Sequence, residues 1–447
     1  MNTPVKYSNS SFAYILRRVI DTSLFFLLAV IPLIINPTAF DFYYKPKINS
    51  VYALIIIITI AVGIRQFFLN HPLRFKRIPL ILPLIAYGIS AVISTIFSIS
   101  PRLSICGDIW RLESVFTLLS YVALTFIFSS LVASEKQFHC LMKGLLVSSS
   151  LIALYGIIQF SGYNPTEHFL PLFRHNRINS TIGNTNFLGK FLVLVLPLFM
   201  AYYLTATSMA EKFFLGAGGM FSVCTLFLTF TRASWVGFFV ACILFAFITG
   251  REILWKKKNR ILALMLIGIV FSAGILSFAS VKLKTPQGRR LFEAKERIFS
   301  SFDVKEGKGV ATRLFVWKKV MGIIQKRPLI GFGPDTHVIP MSTFNMEYIR
   351  KFNDRVIIDR AHNNYLDITV AQGVIGLAAY MWIIITFLVW LRRTMKQEED
   401  ISKRILFCGI FASFCGYLVN DFFIFSVVSV SPTFWSLMGI TFVLKKA

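Results

Sequence analysis

Acidic residues are scarce in this chain. Only 21 Asp and Glu stand against 47 Lys and Arg in 447 residues, and charged residues of either sign make up 15% of the whole. A chain so poor in charge cannot clothe the water-exposed surface of a protein this large, which excludes an ordinary soluble enzyme. Cysteine is also sparse. The six present (Cys106, Cys140, Cys224, Cys242, Cys408, Cys415) lie scattered, mostly inside apolar runs and without paired spacing, so neither a disulfide framework nor a cysteine metal centre is read from them. Asp108, Glu113, Asp359 and Asp421 are too dispersed to form the carboxylate pair that would hold a divalent cation. No small-residue cleavage site comes after the first apolar run, which ends in Asn36-Pro37. That run is therefore read as a retained span and not as a signal peptide.

What the chain does have is apolar length: 55% hydrophobic residues, 46 of them Phe. Hydrophobic windows fall near 19–36, 50–69, 78–98, 115–134, 138–160, 187–206, 213–230, 233–250, 261–280, 364–391, 404–421 and 422–444. Each approaches the roughly 20 residues that span a bilayer as helix. The fold class expected is an all-α polytopic membrane protein, with about 12 transmembrane helices and one long extracytoplasmic loop containing amphipathic helices. The expected division is a membrane bundle over 1–280, a loop domain over 281–363 and the last spans over 364–447.

Charge sets the orientation. With the N-terminus inside, the short cytoplasmic segments collect Arg65, Arg74, Lys76 and Arg77, then Lys256 to Arg260, then Arg392, Arg393, Lys396, Lys403 and Arg404. This is the positive-inside bias, and the basic excess is read as facing membrane lipids and not nucleic acid. The long interval then lies outside, as do Asp108 to Arg111, the loop 161–186, the turn Thr229 to Ser234, and Asn420-Asp421. An Arg at the membrane boundary with apolar sequence on both sides, as Arg232 is, needs a partner, a ligand or a path to the headgroups. Within the interval, 287–301 and 312–325 show helical periodicity. In the second, Arg313, Trp317, Val320 and Ile324 share one face, as in a helix lying on the membrane surface. His362 stands just before the tenth span, where the positive end of a helix favours neutral imidazole able to take a proton. A capping or packing role is open to it as well, although Asn363 and Asn364 cap equally well.

Four stretches occur in order: Ser180 to Gly189, Thr231 to Gly237, Arg313 to Trp317 with Pro328 to Gly333, and Ala361 to Leu366. The ordered set, placed around one long loop, resembles the bacterial O-antigen ligase and O-antigen polymerase superfamily. Thr185 stands where many relatives have Pro. The resemblance implies a glycosyltransferase without cofactor, metal or nucleotide sugar, working on the outer face of the bacterial inner membrane. Its donor would be a glycan on undecaprenyl pyrophosphate, and its acceptor lipid A-core in a ligase or another lipid-linked repeat in a polymerase. It also implies His362 as general base. Fixed Arg forks suit a pyrophosphate leaving group, and Arg232, Arg313 and more weakly Arg111 fill that place, with Asn184, Asn186, Asn363 and Asp421 in support. A polymerase or a protein O-oligosaccharyltransferase remains an alternative. A secondary transporter fits less well, because the long loop after the ninth span prevents a division into matching halves.

Overall fold

The computed structural model describes residues 5–36, 41–67, 69, 77–163, 177–249, 308–353 and 356–445, and among these there is helix and no strand. In chain order the helices are α1 Val5–Phe25, α2 Tyr44–Phe67, α3 Ile81–Ile96, α4 Pro101–Cys106, α5 Val115–Leu131, α6 Glu135–Phe160, α7 Thr185–Thr205, α8 Met209–Leu228 and α9 Arg232–Thr249. After the undescribed stretch come α10 Lys308–Ile324, α11 Val338–Phe352, α12 Asn364–Gln397, α13 Ile401–Asp421 and α14 Ser431–Thr441. Seven of them (α2, α6, α7, α8, α9, α12 and α13) are long and apolar enough to cross a membrane. α3 and α5 are apolar but shorter. The protein is a polytopic α-helical membrane protein. The expected ninth span at 261–280, the basic cluster Lys256 to Arg260 and the first amphipathic helix at 287–301 lie outside the described residues.

The last expected span is corrected. In place of one helix over 422–444, the chain turns through Phe422 to Val430 and only then forms α14, 11 residues with every side chain buried. Pro432, in the first turn of α14, has no N–H to give to a preceding turn, so the helix starts there and cannot extend backwards. α14 packs against α5 inside the bundle.

α7 is the central rod, with 89% of its apolar window buried. It contacts α8, α9 and α13. α9 and α13 approach closely at Gly237 and Gly416, where a Cβ on either would lie 2.7 Å from the other's carbonyl oxygen. Such small-residue crossings bring helix backbones together where no hydrophobic force distinguishes helix from lipid.

Outside the bundle α10 and α11 build a second core. Val316, Val320, Ile323 and Ile324 of α10 meet Met341, Phe344 and Tyr348 of α11. The α10 face that the periodicity assigned to a membrane surface is thus covered by protein. Full burial of a side chain such as Val320 or Met341 stabilises the fold by about 1.5–3 kcal/mol.

This outer module is joined to the bundle through a break in α12. Gly373 leaves helical geometry, with φ 67° and ψ −171°. The stretch Pro328 to Gly333 lies alongside and makes the hydrogen bonds the break would otherwise lose. Phe332 N donates to Val370 O at 2.8 Å, Gly333 N to Ala371 O at 2.9 Å, and Val374 N to Pro328 O at 2.8 Å. Ser94 Oγ adds a bond to Ala371 O at 2.6 Å. A Cβ at Gly331 would fall 2.5 Å from Ala371 O, and one at Gly373 would overlap Leu329 O. Only glycine allows this contact, since both residues also have positive φ.

Candidate active site

Two helix starts and the outer module enclose a cavity of about 460 Å³ lined by Arg177, Asn186, Arg232, Arg313 and His362, among others. α7 begins at the cavity edge because Asn184 caps it, its side chain accepting from Asn186 N at 2.8 Å. α9 begins there after a sharp turn. Thr229 closes α8, Phe230 takes φ 51°, and Arg232 is the first residue of the new helix. Arg177 braces that turn by donating to Thr229 O and, at 3.3 Å, to Thr231 Oγ1. Thr231 Oγ1 in turn donates to Asn186 Oδ1 at 3.4 Å. Both helix starts bring a positive dipole end to the cavity.

Across the cavity α10 supplies Arg313. It is half-buried, its guanidinium lies 5.5 Å from the Phe423 ring centroid, and its pKa is lowered by burial and by the nearby charge of Arg232. Among the described residues no carboxylate pairs with Arg232 or Arg313. Two like charges brought together without a counter-ion raise the local potential and favour a polyanionic guest.

His362 is set by the loop before α12, which is tied down residue by residue. Ile358 N donates to Asn345 Oδ1 at 2.9 Å, and Arg111 Nε to Asp359 Oδ2 at 2.7 Å. Arg360 pairs with Asp335 in the protein interior. Ala361 N donates to Asp367 Oδ1 at 2.8 Å, and Trp317 Nε1 donates to Ala361 O at 3.0 Å. Asn363 then caps α12, accepting from Tyr365 N at 3.0 Å and Leu366 N at 3.2 Å. Between these anchors His362 takes φ 51°. This left-handed conformation costs a non-glycine residue about 1 kcal/mol or more and persists only when its surroundings impose it. The ring stacks obliquely on Phe425 at 5.3 Å. Its pKa is pushed down to about 4, first by withdrawal from water and then by the Arg313 charge, with Asp359 opposing. The direction agrees with the neutral ring expected from the sequence, and its causes are burial and the Arg313 charge.

Behind this loop lies a small internal cavity of about 40 Å³ lined by Glu113, Asp335, His337, Arg360 and Asp367. Arg360 Nη1 approaches His337 Nδ1 at 2.7 Å, and His337 Nε2 lies 2.8 Å from Asp367 O. A guanidinium can only donate, so Nδ1 accepts and Nε2 carries the proton. Burial and Arg360 keep that histidine neutral. Burial disfavours the Arg360 charge, but Asp335 and neighbouring carboxylates outweigh that and hold it protonated.

The site residues expected from sequence are therefore distributed. Arg232, Arg313, Asn186 and His362 line the large cavity. Asn184 and Asn363 are helix caps at its edge. Arg111 lies beside it, committed to Asp359 and set over the Phe425 ring at 4.8 Å. Asp421 is fully buried, pairs with Lys190, and accepts from Asn364 Nδ2 at 3.1 Å. Lys190 also donates to Phe425 O at 3.1 Å, so this pair supports the turn beneath His362. Sequence reasoning missed Lys190 and Arg177. A lone Lys inside the apolar run 187–206 was the available signal for Lys190, because an ionisable group in such a run is costly unless it is used. Arg177 carried no comparable signal in its polar loop. Among the described residues no cluster of His, Cys, Asp and Glu is suited to a metal ion.

Comparison with curated proteins gives no match. Residues 217–381, which hold the Arg232 turn, α10, the Pro328 to Gly333 stretch and the His362 loop, match the family model described as O-antigen ligase. The resemblance carried by the motifs has independent support over this segment, which is similar to the O-antigen ligase family.

Proposed function

We propose that the protein is an O-antigen ligase-type glycosyltransferase. It moves a glycan from undecaprenyl pyrophosphate to a sugar hydroxyl of lipid A-core, at the periplasmic face of the inner membrane. One observation carries the reading: a single cavity holds two Arg forks without carboxylate partners and a neutral histidine for which no hydrogen-bond partner is present among the described residues. Arg232 and Arg313 bind the donor pyrophosphate and neutralise the charge that grows as the glycosidic bond breaks. Arg177 fixes the turn that aims Arg232 and adds a third positive group to the cavity wall. His362 accepts the proton of the acceptor hydroxyl as its oxygen attacks the anomeric carbon. Attack from the face opposite the departing pyrophosphate inverts the anomeric configuration. The Arg forks supply the charge neutralisation that a metal ion provides in other phosphate-releasing enzymes.

The test uses purified protein in nanodiscs with a synthetic lipid-pyrophosphate glycan donor. His362→Ala should bind donor normally and transfer about 100-fold to 10,000-fold more slowly. Full activity of that variant would remove the base assignment. Offering lipid A-core, lipid-linked repeat units and a peptide as acceptors in parallel decides among ligase, polymerase and protein glycosylation. Transfer to either of the last two in preference to lipid A-core would overturn the ligase assignment.

A further inference from the structure

The donor-binding groups and the base sit on separate pieces of chain. Arg313 belongs to α10, which one apolar cluster packs against α11 and against Ile358, Ala361 and Val370 of the loop and of α12. His362 belongs to the loop before α12. In-line displacement requires the base and the phosphate ligands to be registered to within a fraction of an ångström, and apolar burial is non-directional.

Trp317 adds a directional contact between α10 and that loop. It lies one helical turn after Arg313, on the same face of α10. Its indole N–H reaches the Ala361 carbonyl at 3.0 Å. That carbonyl belongs to the peptide unit joining Ala361 to His362, so the bond fixes the plane from which the histidine departs. Asp367 holds the Ala361 N–H, and Asn363 caps the helix on the other side of His362. With the peptide plane and the cap both fixed, the positive φ of His362 is the conformation left to it.

We propose that Trp317 is a positioning residue for the transfer, its indole N–H registering the Arg313 helix against the His362 loop. The inference rests on the reading of Arg313 as a donor ligand and His362 as the base. It adds a coupling between the two that neither residue supplies. Trp317 touches neither donor nor acceptor. It acts through Ala361.

Two variants test it in the full-length protein in nanodiscs, with the synthetic donor. Trp317→Phe removes the N–H and part of the ring. Replacement of Trp317 by 3-benzothienylalanine keeps the bicyclic shape and puts sulfur in place of the N–H. Both should lower kcat by about 3-fold to 10-fold, the range for loss of one hydrogen bond. Donor Kd should stay at the parent value, and Tm should fall by no more than the loss of one hydrogen bond explains. Full kcat in the benzothienyl variant overturns the proposal and makes Trp317 a packing residue, whatever Trp317→Phe does. A kcat loss matched by weaker donor binding overturns it equally. His362→Ala is measured alongside. If that variant is active, the proposed function fails on its own account. If it is inactive while the benzothienyl variant keeps full kcat, only the coupling fails.

Discussion

Protonating His362 should require far more acid than an ordinary histidine does. With its pKa lowered from 6.5 to about 4, the ring stays almost wholly neutral at pH 5.5, where a free imidazole would be about nine-tenths protonated. kcat/KM, which reports the free enzyme, should therefore hold from neutrality down to about pH 5 and fall about tenfold per unit below pH 4. The causes, in order, are withdrawal from water and the Arg313 charge, with Asp359 opposing and Arg111 adding a smaller depression. The acid limb should move in two ways. Arg313→Gln removes a depressing charge, so the limb moves up towards 6.5 even as the amplitude falls. Bound donor brings negative charge against Arg313 and Arg232, so the limb of kcat should lie above that of kcat/KM. The same shift touches stability. Between about pH 4 and 6.5 the unfolded chain binds the proton and the folded one does not, so this contribution is complete above pH 6.5 and is lost as the pH falls towards 4. The assay is initial-rate transfer at several donor concentrations from pH 3.5 to 8, with Tm recorded at each pH. A parent limb near 6.5, or a limb that does not rise in Arg313→Gln, would refute the electrostatic origin of the neutral base.

Arg232→Lys and Arg313→Lys should each lower transfer by about 10-fold to 1,000-fold at normal levels of folded protein, because an ammonium cannot form the two parallel bonds of a guanidinium. Near-parental turnover in either variant would make that Arg a surface cation without a catalytic role. Gly331→Ala places a methyl group 2.5 Å from Ala371 O at a residue with φ 69°. It should destabilise the protein by about 2–4 kcal/mol, seen as a lower Tm in detergent, whereas Gly322→Ala, which meets nothing within 4 Å, should leave Tm at or above the parent value.

The spans and the residues that line the large cavity were legible because each leaves a local trace. Bilayer-length apolar windows predicted α2, α6, α7, α8, α9, α12 and α13, and an Arg at a membrane boundary drew notice to Arg232. The face shared by Arg313 and Trp317 predicted α10 to within a few residues. The features that stayed hidden depend on partners distant in sequence. Pro328 to Gly333 reads as a turn, and nothing nearby says that it completes the hydrogen bonds of a helix forty residues on. Asp421 reads as an outer-face carboxylate until Lys190 is seen beside it. Arg111 reads as a possible phosphate ligand until Asp359 takes it. In both cases the sequence shows a charge but not its counter-charge, and the pairing decides the role. The 422–444 window failed for a different reason: hydropathy measures burial, and α14 is buried by protein.

The interruption at Gly373 divides α12 into two rods with a joint between them. The lower rod is the part apolar enough to span the bilayer, and its packing on neighbouring helices sets its tilt. The upper rod, Asn364 to Gln372, is clasped by Pro328 to Gly333 and by Ser94. Val374 N, at the head of the lower rod, donates to Pro328 O, so the same stretch holds both rods at the joint. The His362 loop thus rides on a short helix whose direction is set by protein contacts at the joint.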